Sequence, residues 1–220
     1  PAPGRELWRL NYGMLGFSIV PRPVAGHGML FMSTSFMRPQ LLAVRYEKTA
    51  KPHIAWKYNR GVSNQPSPIL VGDELYFVGD SGGLVACLNA HSGEVHWRER
   101  IGGNYSASPL HANGKLYFHS REGETTVLKA GKNFKVLAKN KLNGSHMASA
   151  AVDGNALILG LVGQHRSAHH VADRVDAVNI GLEVVVDDDA AALGRDAGLV
   201  EPEAIGVRTP ADRDQHDVGI

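Results

Sequence analysis

Short apolar segments separated by turn residues fill the first 160 positions of the chain. Three of them, Glu74–Asp80, Leu84–Leu88 and Val95–Arg100, are rich in β-branched and aromatic residues, which indicates β-strands. Turn-forming residues separate them, namely Gly72-Asp73, Asp80-Ser81-Gly82-Gly83 and His91-Ser92-Gly93. With the short run Pro68–Val71 in front, this pattern predicts four strands within about 41 residues.

The same pattern repeats along the chain. Leu75-Tyr76-Phe77 returns as Leu116-Tyr117-Phe118, 41 residues later, and the serine-preceded Pro68 and Pro109 have the same spacing. Weaker copies lie upstream at Pro23 and Leu30-Phe31-Met32, and downstream at Ser149-Ala150 and Leu157-Ile158-Leu159. Four strands in about 41 residues match one β-propeller blade. Residues 1–160 are therefore predicted to be all-β, forming a partial propeller of about four four-stranded blades.

Tryptophans follow the same period and carry a family resemblance. Trp56 and Trp97 are 41 residues apart, Trp8 precedes Trp56 by 48, and Ala138 takes the next position. The segment Cys87–Trp97 resembles the tryptophan-docking motif of quinoprotein-type, PQQ-like propeller repeats, Ala-x-Asp-x-x-Thr-Gly-x-x-x-Trp. Gly93 and Trp97 match that motif, and substitutions occupy the other positions, namely Cys87, Asn89 and Ser92. The resemblance implies that Gly93 forms a turn capped by Asn89 and that Trp97 packs flat between blades.

The resemblance extends to the propeller proteins related to outer-membrane assembly factor B, as found in bacteria such as planctomycetes. It implies a non-catalytic scaffold that binds another protein or a peptide, located in the periplasm or cell envelope. The alternative is a fragment of a PQQ-dependent quinoprotein oxidoreductase, and a third option is sugar binding by exposed aromatic rings. Cofactor chemistry is disfavoured because the acidic residues show no clustered ligand pattern and the single cysteine, Cys87, excludes a vicinal disulfide.

Four copies make only about half of a ring, since members of the quinoprotein-type family that this chain resembles usually have seven or eight blades. The chain also begins at Pro1 rather than at methionine. We therefore expect the C-terminal part of a longer protein. Residues 1–160 alone should then expose apolar blade faces, associate, and bind a hydrophobic dye.

Charge and composition divide the chain at about residue 160. The formal net charge of +1 combines +8 in residues 1–160 with −7 in residues 161–220, and every aromatic residue and lysine precedes residue 142. Residues 161–220 are therefore predicted to be an acidic, aromatic-free tail that is disordered or results from a frameshifted or chimeric gene. The opposing interpretation is a strand with alternating apolar residues at Val178–Val186, followed by a helix from Asp187. No apolar run approaches the roughly 20 residues that a membrane-spanning helix needs, and no export signal is present.

Candidate catalytic, cofactor-binding and metal-binding residues were weighed, and none is predicted. Asp80 is interpreted as a turn cap rather than a calcium ligand, His27 as a loop residue, and His91 and His96 as surface residues. Cys87 is interpreted as an inert buried thiol. The tail contains a further group with helical metal-ligand spacing that is interpreted as an ordinary polar segment: His165, His169, His170 and Asp173.

Nucleic-acid binding is not predicted, despite the basic first part. The lysines of the last clear copy alternate with apolar residues and are interpreted as a solvated strand face: Lys129, Lys132, Lys135, Lys139 and Lys141. The sequence also lacks a phosphate-binding loop or dinucleotide fingerprint.

Overall fold

Antiparallel β-sheets form most of the described part of the chain. The computed structural model describes residues 6–46, 51–153, 156–162 and 181–183. These residues contain no α-helix, so none of them forms a helix able to cross a membrane. Most of the strands belong to three four-stranded sheets, each built from consecutive strands in sequence order.

The first sheet contains β1 (Val24–Gly26), β2 (Met29–Ser33), β3 (Leu41–Arg45) and β4 (His53–Tyr58). The second contains β5 (Ile69–Val71), β6 (Glu74–Val78), β7 (Leu84–Asn89) and β8 (Val95–Arg100). The third contains β9 (Leu110–Ala112), β10 (Lys115–His119), β11 (Glu124–Lys129) and β12 (Val136–Lys141). We call these sheets blades 1, 2 and 3. The predicted strands of the clearest copy are confirmed to within one or two residues.

The repeat is also exact in strand register. In each blade, a β-bulge shifts the pairing between the third and fourth strands by one residue, directly after Ala43, Cys87 and Val127, respectively. Ala43 pairs with Trp56, Cys87 with Trp97, and Val127 with Ala138. Ala138 therefore occupies the tryptophan position of blade 3.

A fourth, shorter copy follows. It contains β13 (Ser145–His146), β14 (Ala151–Asp153), β15 (Ala156–Ile158), β16 (Leu161–Val162) and β17 (Gly181–Glu183). β14 and β15 form an antiparallel pair, whereas β17 pairs parallel with β15. β17 falls within the alternating segment Val178–Val186. The remaining tail residues, including His165–Asp173 and the proposed helix start at Asp187, lie outside the described residues.

The blades bury both faces of their strands, which explains the continuous apolar runs. Leu75 and Phe77 of β6 pack in a core shared with blade 1, whereas Tyr76 and Val78 pack in a core shared with blade 3. All four side chains are at most 1% exposed. The first strands β1, β5 and β9 are neighbours in that order, as expected for the innermost strands of a propeller.

The tryptophans dock onto the next blade. The Trp56 indole Nε1 donates a hydrogen bond to the Ala90 carbonyl at 2.9 Å, and the ring lies against Gly93. The Trp97 indole donates in the same way to the Gly131 carbonyl at 3.1 Å. Asn89 Oδ1 accepts hydrogen bonds from the backbone amides of His91 and Ser92 in the β7–β8 turn. Both features that the motif implied, the capped turn and the docked ring, are thus present.

Candidate functional site

The two ends of the blades are chemically different. We call the end that holds the β1–β2, β5–β6 and β7–β8 turns the docking end, because Trp56 docks there. We call the opposite end the loop end; it holds residues 59–68 and 101–109, which connect the blades, and the turns at 79–83 and 120–123. Connections between rigid blades are the usual place for binding residues in propellers.

Asp80 fixes the connection between blades 1 and 2 at the loop end. Its carboxylate accepts hydrogen bonds from the Asn64 amide at 2.7 Å, the Asn64 side-chain amide at 2.9 Å and the Gln65 amide at 2.8 Å. The Asp80 carbonyl also accepts a bond from the Tyr105 amide at 2.8 Å. Asp80 is therefore a brace for two connecting segments.

A polar network of three side chains joins blades 2 and 3 next to this brace. Arg121 Nε donates to Ser106 Oγ at 2.6 Å, and Arg121 Nη2 donates to Gln65 Oε1 at 2.8 Å. Ser106 Oγ in turn donates to the same Gln65 oxygen at 2.9 Å. Arg121 follows Asp80 by one period of 41 residues, so equivalent positions in adjacent blades carry opposite charges.

The second carboxylate of the loop end is also held by the chain. Glu122 accepts bonds from the Asn104 backbone amide at 3.0 Å and from the Asn104 side-chain amide at 2.7 Å. Burial raises the pKa of Glu122, but the hydrogen bonds to its carboxylate, with those from Asn104 the largest and those from the Glu122 backbone and Ser120 beside them, together lower the pKa to about 2. Glu122 is therefore ionised at neutral pH.

These carboxylates do not fit a calcium-bound quinone cofactor. Calcium sites need several oxygen ligands that converge on one point. Asp80 and Glu122 accept hydrogen bonds from separate connecting segments, and neither belongs to a group of three ligands among the described residues.

At the docking end, the packing of blades 1 and 2 brings His27, Asp73 and His91 together. His91 Nε2 lies 3.2 Å and His27 Nε2 lies 3.6 Å from Asp73 Oδ1. The hydrogen bond from His91 is the main cause that lowers the pKa of Asp73. His96 is not part of this group. Sequence reasoning interpreted His27 as a loop residue and His91 as a surface residue, but did not connect them with each other or with Asp73.

The remaining candidates lie apart from both groups. Cys87 is fully buried, and burial raises the pKa of its thiol to about 12. The five lysines interpreted as a solvated strand face are all exposed: Lys129, Lys132, Lys135, Lys139 and Lys141.

Sequence reasoning also missed a buried histidine pair between blade 3 and the fourth copy. The His119 and His146 rings are 5.7 Å apart, and both side chains are at most 1% exposed. His119 Nδ1 lies 2.9 Å from Thr125 Oγ1. Burial and the neighbouring His146 lower the pKa of His119 to about 4. His119 replaces Val78 of the preceding copy, so the repeat alignment marks it as an exceptional polar residue.

Comparison with known proteins agrees with the architecture. The sequence profile of the family described as outer membrane protein assembly factor BamB matches residues 1–167. The crystal structure of BamB from Moraxella catarrhalis is similar over 65% of this chain and 40% of that protein, with 16% identity and a TM-score of 0.52. A quinohemoprotein alcohol dehydrogenase from Pseudomonas putida is similar over 61% of this chain and 26% of that enzyme, with 13% identity and a TM-score of 0.51.

A europium-containing methanol dehydrogenase aligns over 56% of this chain and 24% of that enzyme, with 12% identity and a TM-score of 0.47. No curated protein sequence matches the chain significantly. The chain therefore covers between a quarter and two fifths of the length of these solved structures. At such low identity, the likeness to BamB and to the alcohol dehydrogenase establishes the propeller fold alone, which scaffolds and dehydrogenases share.

Proposed function

Because the chain belongs to the family of the outer membrane protein assembly factor BamB, we propose that it is a non-catalytic scaffold of the bacterial cell envelope. Its loop end binds a protein or peptide partner in the periplasm. The family description supports a role in the assembly of outer-membrane proteins. Binding of a partner by propeller blades requires no bound cofactor.

The observation that carries this proposal is the side-chain network at the loop end. Gln65, Ser106 and Arg121 hold each other across two blades, so their positions are fixed before a partner arrives. Within the described residues, Arg121 Nη1 and Gln65 Nε2 have no hydrogen-bond partner and remain available as donors. Fixed donors suit the carbonyl groups of an extended peptide, because little conformational entropy is lost on binding.

Site-specific photo-crosslinking tests this proposal. A photoreactive amino acid replaces the exposed Ser81, next to Asp80 at the loop end, or, as the matched control, the exposed Lys129 on the docking side of β11. The full chain is expressed in the periplasm of a bacterial host. We expect a discrete crosslinked protein from position 81, and Arg121→Ala should weaken that crosslink. Equal labelling from both positions, or no labelling at position 81, would contradict the proposal.

The fold also suits a second candidate, a fragment of a quinoprotein oxidoreductase, since the alcohol dehydrogenase shares it. Titration of the full chain with PQQ and Ca²⁺, followed by tryptophan fluorescence, separates the two functions. Saturable quinone binding would favour the oxidoreductase. The carboxylate arrangement at Asp80 and Glu122 supports the opposite result, a fluorescence signal that does not saturate.

A further inference from the structure

The group His27, Asp73 and His91 combines three residues that commonly bind transition metals. It lies at the docking end, away from the network that supports the proposed scaffold function. One ligand atom from each residue, an imidazole nitrogen or a carboxylate oxygen, lies within 4.8 Å of the other two. From this geometry we propose a binding site for a divalent metal ion of the zinc class, at the junction of blades 1 and 2.

The distances agree with a tetrahedral ion. Ligand atoms bound to zinc at about 2.0–2.1 Å are separated from each other by about 3.3 Å. The distances from Asp73 Oδ1 are 3.2 Å to His91 Nε2 and 3.6 Å to His27 Nε2, so small side-chain rotations suffice. Three protein ligands leave the fourth position to water, because all three side chains are solvent-accessible.

Metal binding replaces hydrogen bonds that already hold these side chains close together. His27 Nε2 lies 2.9 Å from the Gly72 carbonyl, and His91 Nε2 lies 3.2 Å from the Asp73 carboxylate. A neutral imidazole that binds metal through Nε2 carries its proton on Nδ1. Each ring therefore shifts its proton to Nδ1 and exchanges an N–H donation for a metal bond.

The backbone keeps the three ligands in place. His27 has a φ of 54°, in the left-handed region, within the tight β1–β2 turn. The Ala90 amide donates to the Asp73 carbonyl at 2.8 Å, which ties the turn that carries His91 to the turn that carries Asp73. Because His27 belongs to blade 1 and the other two belong to blade 2, a bound ion would link the two blades.

Among the described residues, such a group occurs at this junction alone. At the next junction, the positions equivalent to His27 and Asp73 are Gly72 and Gly114, and the turn at residues 130–134 contains no histidine. The propeller repeat therefore does not require these residues.

The charge of nearby Lys132 also acts on Asp73 and lowers its pKa, although less than His91 and His27 do.

Zinc binding to the full 220-residue chain tests the proposal. The chain is stripped of metal and titrated with Zn²⁺ in competition with a chromophoric chelator, and Co²⁺ is used to record the visible spectrum of a tetrahedral site. We expect a tight site with one ion per chain. His27→Asn and His91→Gln should each weaken it by at least about tenfold. Asparagine is chosen at position 27 because Asn113 occupies the same left-handed turn position in blade 3, with a φ of 49°.

The matched control is His53→Gln, an exposed histidine at the start of β4, which should leave zinc affinity unchanged. Zinc should raise the melting temperature of the parent chain and of this control, but not that of His27→Asn. Melting without metal reports whether a variant is folded. Zinc retained at full affinity in both ligand variants would belong to other histidines, such as His165 and His169, and would overturn the proposal. Absence of saturable binding to the parent chain would overturn it as well.

Discussion

Gly93 offers the sharpest test of how adjacent blades pack. It has a φ of +74°, and a Cβ at this position would lie 2.6 Å from Cδ2 and 2.8 Å from Cε3 of Trp56. Gly114 has nearly the same backbone, with a φ of +70°, but a Cβ there would meet nothing within 4 Å. Gly93→Ala therefore combines backbone strain with a clash, whereas Gly114→Ala introduces the strain alone.

The expected magnitudes follow from these two effects. An L-residue in the left-handed region costs about 1–2 kcal/mol, which both substitutions share. Forcing a methyl group into a packed interface costs a further 1–3 kcal/mol, roughly, and this applies to Gly93→Ala only. We expect Gly93→Ala to lower the free energy of unfolding by about 2–5 kcal/mol, against about 1–2 kcal/mol for Gly114→Ala.

Urea denaturation followed by circular dichroism measures both changes. A third variant, Trp56→Leu, removes the ring that the new methyl group would meet. In that background, Gly93→Ala should cost no more than Gly114→Ala, because only the backbone strain remains. Equal losses for the two alanine variants in the parent chain would refute the docked arrangement of Trp56 on Gly93.

Three further measurements test other parts of the structure. The pKa of His119 is about 4 in the folded chain and 6.5 in the unfolded one, so the unfolded state binds more protons between these two pH values. The free energy of unfolding should therefore fall by about 3 kcal/mol from pH 7 to pH 4. His119→Gln should flatten this pH dependence, as measured by urea titrations at each pH. The buried Cys87 thiol should react with a chromogenic disulfide reagent only after unfolding, and rapid reaction of the native chain would contradict its placement. Asp80→Asn should lower the free energy of unfolding by about 1–3 kcal/mol, because the side-chain NH₂ group would then face the backbone N–H donor of Asn64 or Gln65 in place of an acceptor oxygen. The control, Asp73→Asn on the exposed docking end, should change stability little.

The blades could be predicted from the sequence because each copy meets the same packing requirement. A strand between two neighbours must be apolar on both faces, so Leu75-Tyr76-Phe77 and Leu116-Tyr117-Phe118 are continuous apolar runs with one spacing. In each blade, the tryptophan position on the fourth strand pairs with the third-strand residue directly before the β-bulge. It is recognisable even in blade 3, where Ala138 takes the place of the indole.

The histidine group could not be found by local inspection, because it depends on packing between blades. His27 and His91 are 64 residues apart, and among the histidines of residues 1–160 only His91 and His96 are close in sequence. The repeat itself contains the missing signal. Equivalent turns of successive copies are neighbours in a propeller, and His27 aligns with Gly72, directly before Asp73. Searching for metal ligands at equivalent positions of adjacent copies would have joined two of the three residues.

Serines at the loop end show the physical basis of the repeat spacing. Ser67 Oγ accepts a hydrogen bond from the Arg22 amide, Ser108 Oγ from the Ser67 amide, and Ser149 Oγ from the Ser108 amide. Each serine thus satisfies a backbone amide of the preceding copy, and the three serines, Ser67, Ser108 and Ser149, recur at intervals of 41 residues. Such bonds constrain the first strand of every blade in the same way. Residues outside this ladder differ between copies, as at Gln65 and Arg121 on one end and at His27 on the other. The non-repeating residues are therefore where function specific to this protein should be sought.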